Sequence, residues 1–453
     1  MPFGVRGLKK AFFRIVLLAA LGLPIVSCGG GNKSTSNQHK LSGLRYRAFV
    51  SNALFPAGTA NIPVINIVDA LKDTVSLSNI NLIGSANQPT LMAVSPDLSR
   101  TMVFSPSGDT VAVVDNTTEA IADVPGTTTP VPTIALPGST ESMFIAKDNI
   151  SAYAAIPSAS VTGQAPGAVV AMNLGTGAIS ATIPVPNAHY IVGTPDGNHI
   201  LVFSDDSDNV TVISTALIAA NGDPRTVVTG TPQAHFDRPV WAIFTDNTNA
   251  YVFNCGPECG GVSAGVTTFA IGNSIPGPTT TVSGASYALL DGTNLYVAGT
   301  PPHTACGAGT TAPTCGILTT LDATSLAVTK SGVIITDGYH NRMAMGSNGQ
   351  LFIGGHDCSN VNITGGEVRG CLSIFNTTTS KVVVPPQIGD ATGLQAIAGR
   401  NLVYVCQGGA FTIYSTLNDL VYIPPYNSNY LNGTPNVITG QSFDVVIVDP
   451  PTS

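Results

Sequence analysis

One unit, repeated, constrains this chain more than any single motif does. From Met92 to Val114 the sequence reads MAVSPDLSRTMVFSPSGDTVAVV. Three short apolar runs, at 92–94, 102–104 and 111–114, are separated by Ser95-Pro96-Asp97 and by a turn at Gly108, and the last run ends at Asp115-Asn116. Proline, glycine and aspartate at those points supply turn geometry, so the unit predicts three strands joined by tight turns. It recurs about every 50 residues to the end of the chain, a period that belongs to stacked or radial repeats. The turn markers fall at Asp97, Asp148, Asp196, Asp246, Asp291, Asn348, Gly399 and Asp449. The expected fold is all-β: a β-propeller of four-stranded antiparallel blades, eight by this count, or seven if one unit is divided differently.

The ends of the repeat array complement one another. The first unit has strand-like runs at 47–51, 64–68 and 75–77 but no innermost strand before them, whereas residues 442–448, followed by Asp449-Pro450, read as one innermost strand too many. A C-terminal strand joining N-terminal strands would close the circle and remove the exposed edge of an open array.

Composition agrees with many short strands rather than helices. Charged residues make up only 10% of the 453, against 48 glycines and 32 prolines. The formal net charge is −8, and no Lys/Arg cluster beyond the N-terminus could follow a phosphate backbone, so nucleic acid is not an expected partner.

Arg6, Lys9, Lys10 and Arg14 precede an apolar stretch at 15–23 that is short for a bilayer span, then Ile25-Val26-Ser27-Cys28. This resembles the lipobox of bacterial lipoproteins and implies cleavage after residue 27, acylation of Cys28 and a membrane as partner through that anchor. An ordinary secretory signal with an incidental cysteine is the other reading. Residues 28–43 would then be a flexible polar tether, and 44–453 one propeller domain. Gly29 after the cysteine resembles outer-membrane sorting, so the expected location is the bacterial cell envelope.

The repeat itself resembles the bacterial YVTN-type propeller repeat, related to surface-layer and lactonase-like propellers. Ser95-Pro96-Asp97, Thr194-Pro195-Asp196-Gly197, Leu295-Tyr296-Val297-Ala298-Gly299 and Leu402-Val403-Tyr404-Val405 carry the likeness, with Asp69, Asp115 and Asp322 closing third strands. It spans nearly the whole chain beyond Leu44. Only some units keep the Pro-Asp-Gly turn, and several loops between second and third strands are long. The resemblance implies a fold and little about activity, because propellers host many unrelated functions.

Seven cysteines follow Cys28. Cys255 and Cys259, Cys306 and Cys315, and Cys358 and Cys371 each sit between the second and third strands of units five, six and seven. That shared placement predicts three local disulfides made in an oxidising compartment. Thiolate metal ligation is the competing reading, but no Cys-x-x-Cys or neighbouring His at zinc spacing is present. Neither a metal nor a cofactor is expected. Cys406 lies in a strand and reads as a buried free thiol.

In a propeller, the loops entering the innermost strands share a face with the loops between second and third strands. The register puts Gln88, Glu141, His189, Asp237, Arg238, His340, Asn341, Arg342 and Gln441 at the channel entrance, and Glu258, His303, His356 and Asp357 on the rim. Arg238 and Arg342 each open an innermost strand, where both could converge on an anion; holding carbonyls and acidic turns between blades is the plainer role. His340 is a candidate general base or a hydrogen-bonded turn residue. The run Asp205-Asp206-Ser207-Asp208-Asn209 lacks the glycine and distal glutamate of a calcium loop and reads as a solvated turn. No Gly-x-Ser-x-Gly elbow is present, and the single tryptophan, Trp241, is expected in the core. The expected function is therefore a lipid-anchored binding or interaction scaffold, with a small molecule or a protein on its loop face. A lactonase-like hydrolase with a polar site at the channel mouth is the alternative.

Overall fold

The computed structural model describes residues 41–451, apart from 221, 308–311, 313, 360–361, 364–366 and 425–437. The expected export segment 1–27, Cys28 and most of the expected tether 28–43 lie outside the described residues. The repeat forms an eight-bladed propeller of antiparallel sheets. Blade one runs, from outside inwards, Thr74–Asn81, Ala60–Asp69, Arg47–Ala57 and Ser442–Ile447. The C-terminal strand is thus the innermost strand of the N-terminal blade, with Phe49 opposite Val446. The only α-helix among the described residues is one short turn, Thr215–Ala219, and no described helix is long and apolar enough to cross a membrane.

Why the middle strands are nearly continuous apolar runs follows from the packing. Alternate residues of a strand point to opposite faces, and each blade is sandwiched between two others. Val103 packs towards blade one, while its neighbours Met102 and Phe104 pack towards blade three. Eight apolar clusters result among the described residues, one at each blade–blade interface, including the closing one where Tyr404 and Phe411 of blade eight meet Tyr46 and Val50 of blade one.

The turns behave as their residues dictate. Asp97 accepts from the Ser95 hydroxyl at 2.6 Å and from Ser99 N at 3.0 Å, with Leu98 at φ 61°. Thr194, Asp196 and Gly197 repeat the arrangement, with Gly197 at φ 78°. Two outer edges depart from expectation. In blade two the outermost position is divided between Ala120–Ile121 and Ile134–Ala135. In blade eight the run at 420–423 does not form a full fourth strand; Val421 makes a single bridge to Tyr414. Pro424 and Pro425 follow directly and have no N–H to extend a ladder.

Candidate functional site

A local device on the innermost strands builds the site. In blades four, five, seven and eight the pairing register slips by one residue near the strand start, at Ala188/Tyr190, Pro239/Trp241, His340/Arg342 and Ala391/Gly393. His189, Val240, Asn341 and Thr392 are the extra residues. A bulge of this kind re-aims side chains that strict alternation would send into the blade interfaces. The rings of consecutive His189 and Tyr190 accordingly stack, 4.1 Å apart and 10° from parallel.

Two cavities meet there. The central channel forms a cavity of about 480 Å³ whose wall draws on the innermost strands of all eight blades. A second, of about 520 Å³, opens at the mouth beside blades four, five and seven. Glu141, Tyr190, Val240 and Tyr339 stand in the walls of both.

At the mouth, His189 Nδ1 lies 2.7 Å from Asp205 and Nε2 lies 3.3 Å from Glu141. Burial opposes the imidazolium, but these two carboxylates outweigh it and raise the pKa of His189 to about 9. The hydrogen bond from His189 in turn lowers that of Glu141 despite partial burial. Tyr190 donates to Glu141 at 3.2 Å. Glu258 sits on the Cys255–Cys259 loop and accepts from Thr300 N at 2.8 Å. Burial pushes its carboxyl up to about 7, against the Thr300 and Ser286 hydrogen bonds.

The candidates named from sequence divide. Glu141, His189, Arg238, His356 and Asp357 line the mouth cavity, and Asn341 and Arg342 the channel. The two arginines therefore do not converge: each faces a different cavity, Arg238 beside Asp208 at 3.8 Å. Asp237 faces neither. Its carboxylate accepts from Val262 N and Ser263 N and pins the disulfide loop. His340 is fully buried between blades six and seven, 3.4 Å from the Thr300 hydroxyl, and burial drives its pKa down to about 4. It is a neutral interior residue, not a base at the mouth, because the slip that turns Asn341 and Arg342 to the channel leaves His340 facing the interface. Gln88 and His303 are exposed, and Gln441 is half-buried with its N–H on Asn52.

All three disulfides form as paired in sequence, with Cα separations of 5.7, 5.2 and 5.6 Å. The one described group with metal-ligand spacing, Cys358, Cys371 and Asp390, spends both sulfurs in a disulfide and has no thiolate to offer. Cys406 is free and buried.

Several site residues escaped the sequence reading. Trp241 is only half-buried: it packs against the apolar clusters on both sides of blade five and also lines the channel. Tyr190, Tyr287, Tyr339 and Asp444 join it there. Tyr190 and Tyr339 each adjoin a flagged polar residue, which was the available signal. Asp444 carries a carboxyl pushed up to about 6 by burial, although Arg342, Met92 N and Val445 N favour its charge.

No protein-family model matches the chain and no curated protein matches its sequence, so the YVTN-type resemblance rests on the residues quoted for it. Solved structures do match. A dihydro-heme d1 dehydrogenase superposes with a TM-score of 0.58 at 12% identity, over 89% of this chain and 75% of its own. Hydrazine synthase of Kuenenia stuttgartiensis matches with a TM-score of 0.51 at 16% identity, over 72% of this chain and 95% of its own. A periplasmic gluconolactonase of Pseudomonas aeruginosa covers 90% of this chain and 99% of its own at 14% identity, with a TM-score of 0.44. At these identities the likeness is one of fold: the chain is a β-propeller whose site has to be read from its own residues.

Proposed function

We propose that this protein is an exported binding propeller that captures a small organic molecule in its central channel, tethered to a membrane by an acyl chain on Cys28. One observation carries the binding reading: the channel is an open cavity of about 480 Å³ bearing aromatic rings and a few polar groups, the make-up of small-molecule sites. Three disulfides support export to an oxidising compartment. Trp241, the chain's single tryptophan, stands in the channel wall and reports on occupancy. Native mass spectrometry of gently purified protein, followed by a thermal-shift screen of small organic compounds, tests the reading. Binders are expected to shift Trp241 emission and to weaken when Val192→Phe narrows the channel. Binders that leave the emission unchanged and ignore Val192→Phe, or a screen with none, overturn it. Loss of palmitate labelling in Cys28→Ser tests the anchor.

A hydrolytic reading, opening a lactone or similar ester, draws on Glu258. A carboxyl poised near pH 7 suits proton transfer in both directions. Proton release from a lactone panel, lost in Glu258→Gln, would favour it.

A further inference from the structure

The channel cavity is chemically two-sided. Trp241 and Tyr287 make an aromatic wall, ring centroids 5.2 Å apart and planes inclined by 36°. Beside them stands Arg342, the only cationic side chain lining this cavity among the described residues. Its Nε donates to Thr392 O at 3.1 Å and its Nη1 to Asn341 O at 2.9 Å. Among the described residues Nη2 has no partner, and no carboxylate comes within 4.0 Å of the guanidinium. Asp444 shares the cavity and feels the charge of Arg342, but its oxygens accept from Met92 N and Val445 N at 2.8 and 2.9 Å. Glu141, the other carboxylate of the wall, is engaged with His189. The Tyr287 hydroxyl, which also senses Arg342, has no hydrogen-bond partner among the described residues.

A guanidinium in a largely apolar channel is costly unless its donors are met. Two backbone carbonyls meet part of that need. What is left is a free Nη2, a free phenol and a flat aromatic wall. A carboxylate matches the free donors of the guanidinium, a contact that Asp444, beyond 4.0 Å and held by Met92 N and Val445 N, does not make. A dianion would instead be repelled by Asp444 in the same cavity. We infer that the channel binds a small organic monocarboxylate carrying a flat apolar ring, its carboxylate on Arg342 and Tyr287 and its ring along Trp241. The inference rests on the channel-binding reading above.

Phenylacetate and its neutral isostere phenylacetamide are the probes, titrated by calorimetry and by Trp241 emission against the wild type, Arg342→Gln and Arg342→Lys. Circular dichroism and Tm establish that each variant folds. Loss of a charge-assisted pair should weaken phenylacetate about 10–100-fold in Arg342→Gln and by an intermediate factor in Arg342→Lys, with the amide changed less than about 3-fold. Wild-type protein should prefer the acid to the amide by about 10-fold or more. Equal affinity for the two probes, or phenylacetate binding indifferent to Arg342, overturns the inference. If the amide still perturbs Trp241 in that case, channel binding stands and only the carboxylate class falls. If neither probe perturbs Trp241 at millimolar concentration, both fall.

Discussion

The rings of Tyr190 and Tyr339 lie 6.0 Å apart between centroids and 11° from parallel, although one residue belongs to blade four and the other to blade seven. His189 also stacks on Tyr190, and the His356 ring lies 5.3 Å from that of Tyr339. Four rings thus run across the mouth, and the two tyrosines form part of the partition between the cavities.

Breaking that partition should expose what lies behind it. Tyr339→Ala is expected to join the two cavities and to raise acrylamide quenching of Trp241 fluorescence clearly above wild type. Tyr339→Phe keeps the ring and removes only the hydroxyl contact with Tyr190, so quenching should stay near wild type while stability falls by about 1 kcal/mol. Equal quenching in all three proteins would mean that acrylamide reaches Trp241 from the opposite end of the channel.

His189 gives the fold a pH dependence with a definite sign. Its folded pKa, about 9, lies above the ordinary imidazole value of 6.5. The stabilisation is therefore complete below about pH 6.5 and is lost as pH rises through about 9. Both partner carboxylates are about half exposed, so the effect is about 1–2 kcal/mol after solvent screening. Urea melts at pH 6.5 and 9.5 should differ by that amount in the wild type and by much less in His189→Gln.

Glu258 and Asp444 act in a lower window. Both carboxyls are raised by burial, to about 7 and about 6, so protonation favours the folded state. Their contribution is present below their ordinary values near pH 4 and declines as pH climbs through the folded ones. Glu258→Gln should remove the share of the decline that runs from about pH 4.5 to 7, on the order of 3 kcal/mol at most in total and about 1 kcal/mol of it between pH 6 and 7, and leave the share between about pH 4 and 6 that belongs to Asp444. A Glu258→Gln stability profile parallel to wild type across pH 6–7 would show that this carboxyl titrates normally.

The disulfides and the lone thiol can be separated chemically. Each bridge closes a short loop, the longest between Cys358 and Cys371 with a sequence separation of 13. Replacing that pair by serine should cost roughly 2–3 kcal/mol by the loop-entropy account. Cys406 is completely buried and its pKa is raised strongly by desolvation. A thiol reagent should therefore find no reactive sulfur in the native domain from residue 41 onward, and one per chain after denaturation without reductant. A second thiol on denaturation would mean that one bridge fails to form.

What the sequence shows and what it hides have physical reasons. Blade number, ring closure and disulfide pairing are legible because each depends on the repeat period: turn aspartates, alternating apolar runs and cysteines in equivalent loops all report it. The site is only half legible for the same reason. A one-residue slip at His189, Asn341 or Thr392 leaves no mark in composition, yet it decides that Arg342 turns to the channel while His340 turns into the interface. Trp241 reads as core because apolar residues usually are; the channel wall is the exception that an open propeller creates. Asp444 is invisible as a site residue because Met92, whose N–H it accepts, and Arg342, whose charge it senses across the channel, are far away in sequence.

Closure of the ring is the last feature open to direct test. Arg47 donates Nη2 to Asp449 Oδ1 at 2.6 Å and Nε to Asp449 Oδ2 at 2.7 Å, and its own N–H reaches the same carboxylate at 2.8 Å. Nη1 reaches Glu119 of blade two at 2.9 Å. One guanidinium thus ties the first strand, the last turn and the neighbouring blade together, with little exposure on any of the three side chains. Removing one partner of a buried pair leaves the other uncompensated and costs about 3–5 kcal/mol. Asp449→Asn keeps the volume and some hydrogen bonding, so its cost should fall below that range, whereas Arg47→Ala should reach it. Hydrogen exchange should locate the loss. If the latch matters for closure, amides of Arg47–Ala57 and Ser442–Ile447 lose protection before those of blades three to six. Uniform loss in all blades would instead place closure in the strand pairing and in the apolar cluster between blades eight and one, with Arg47 contributing only to global stability.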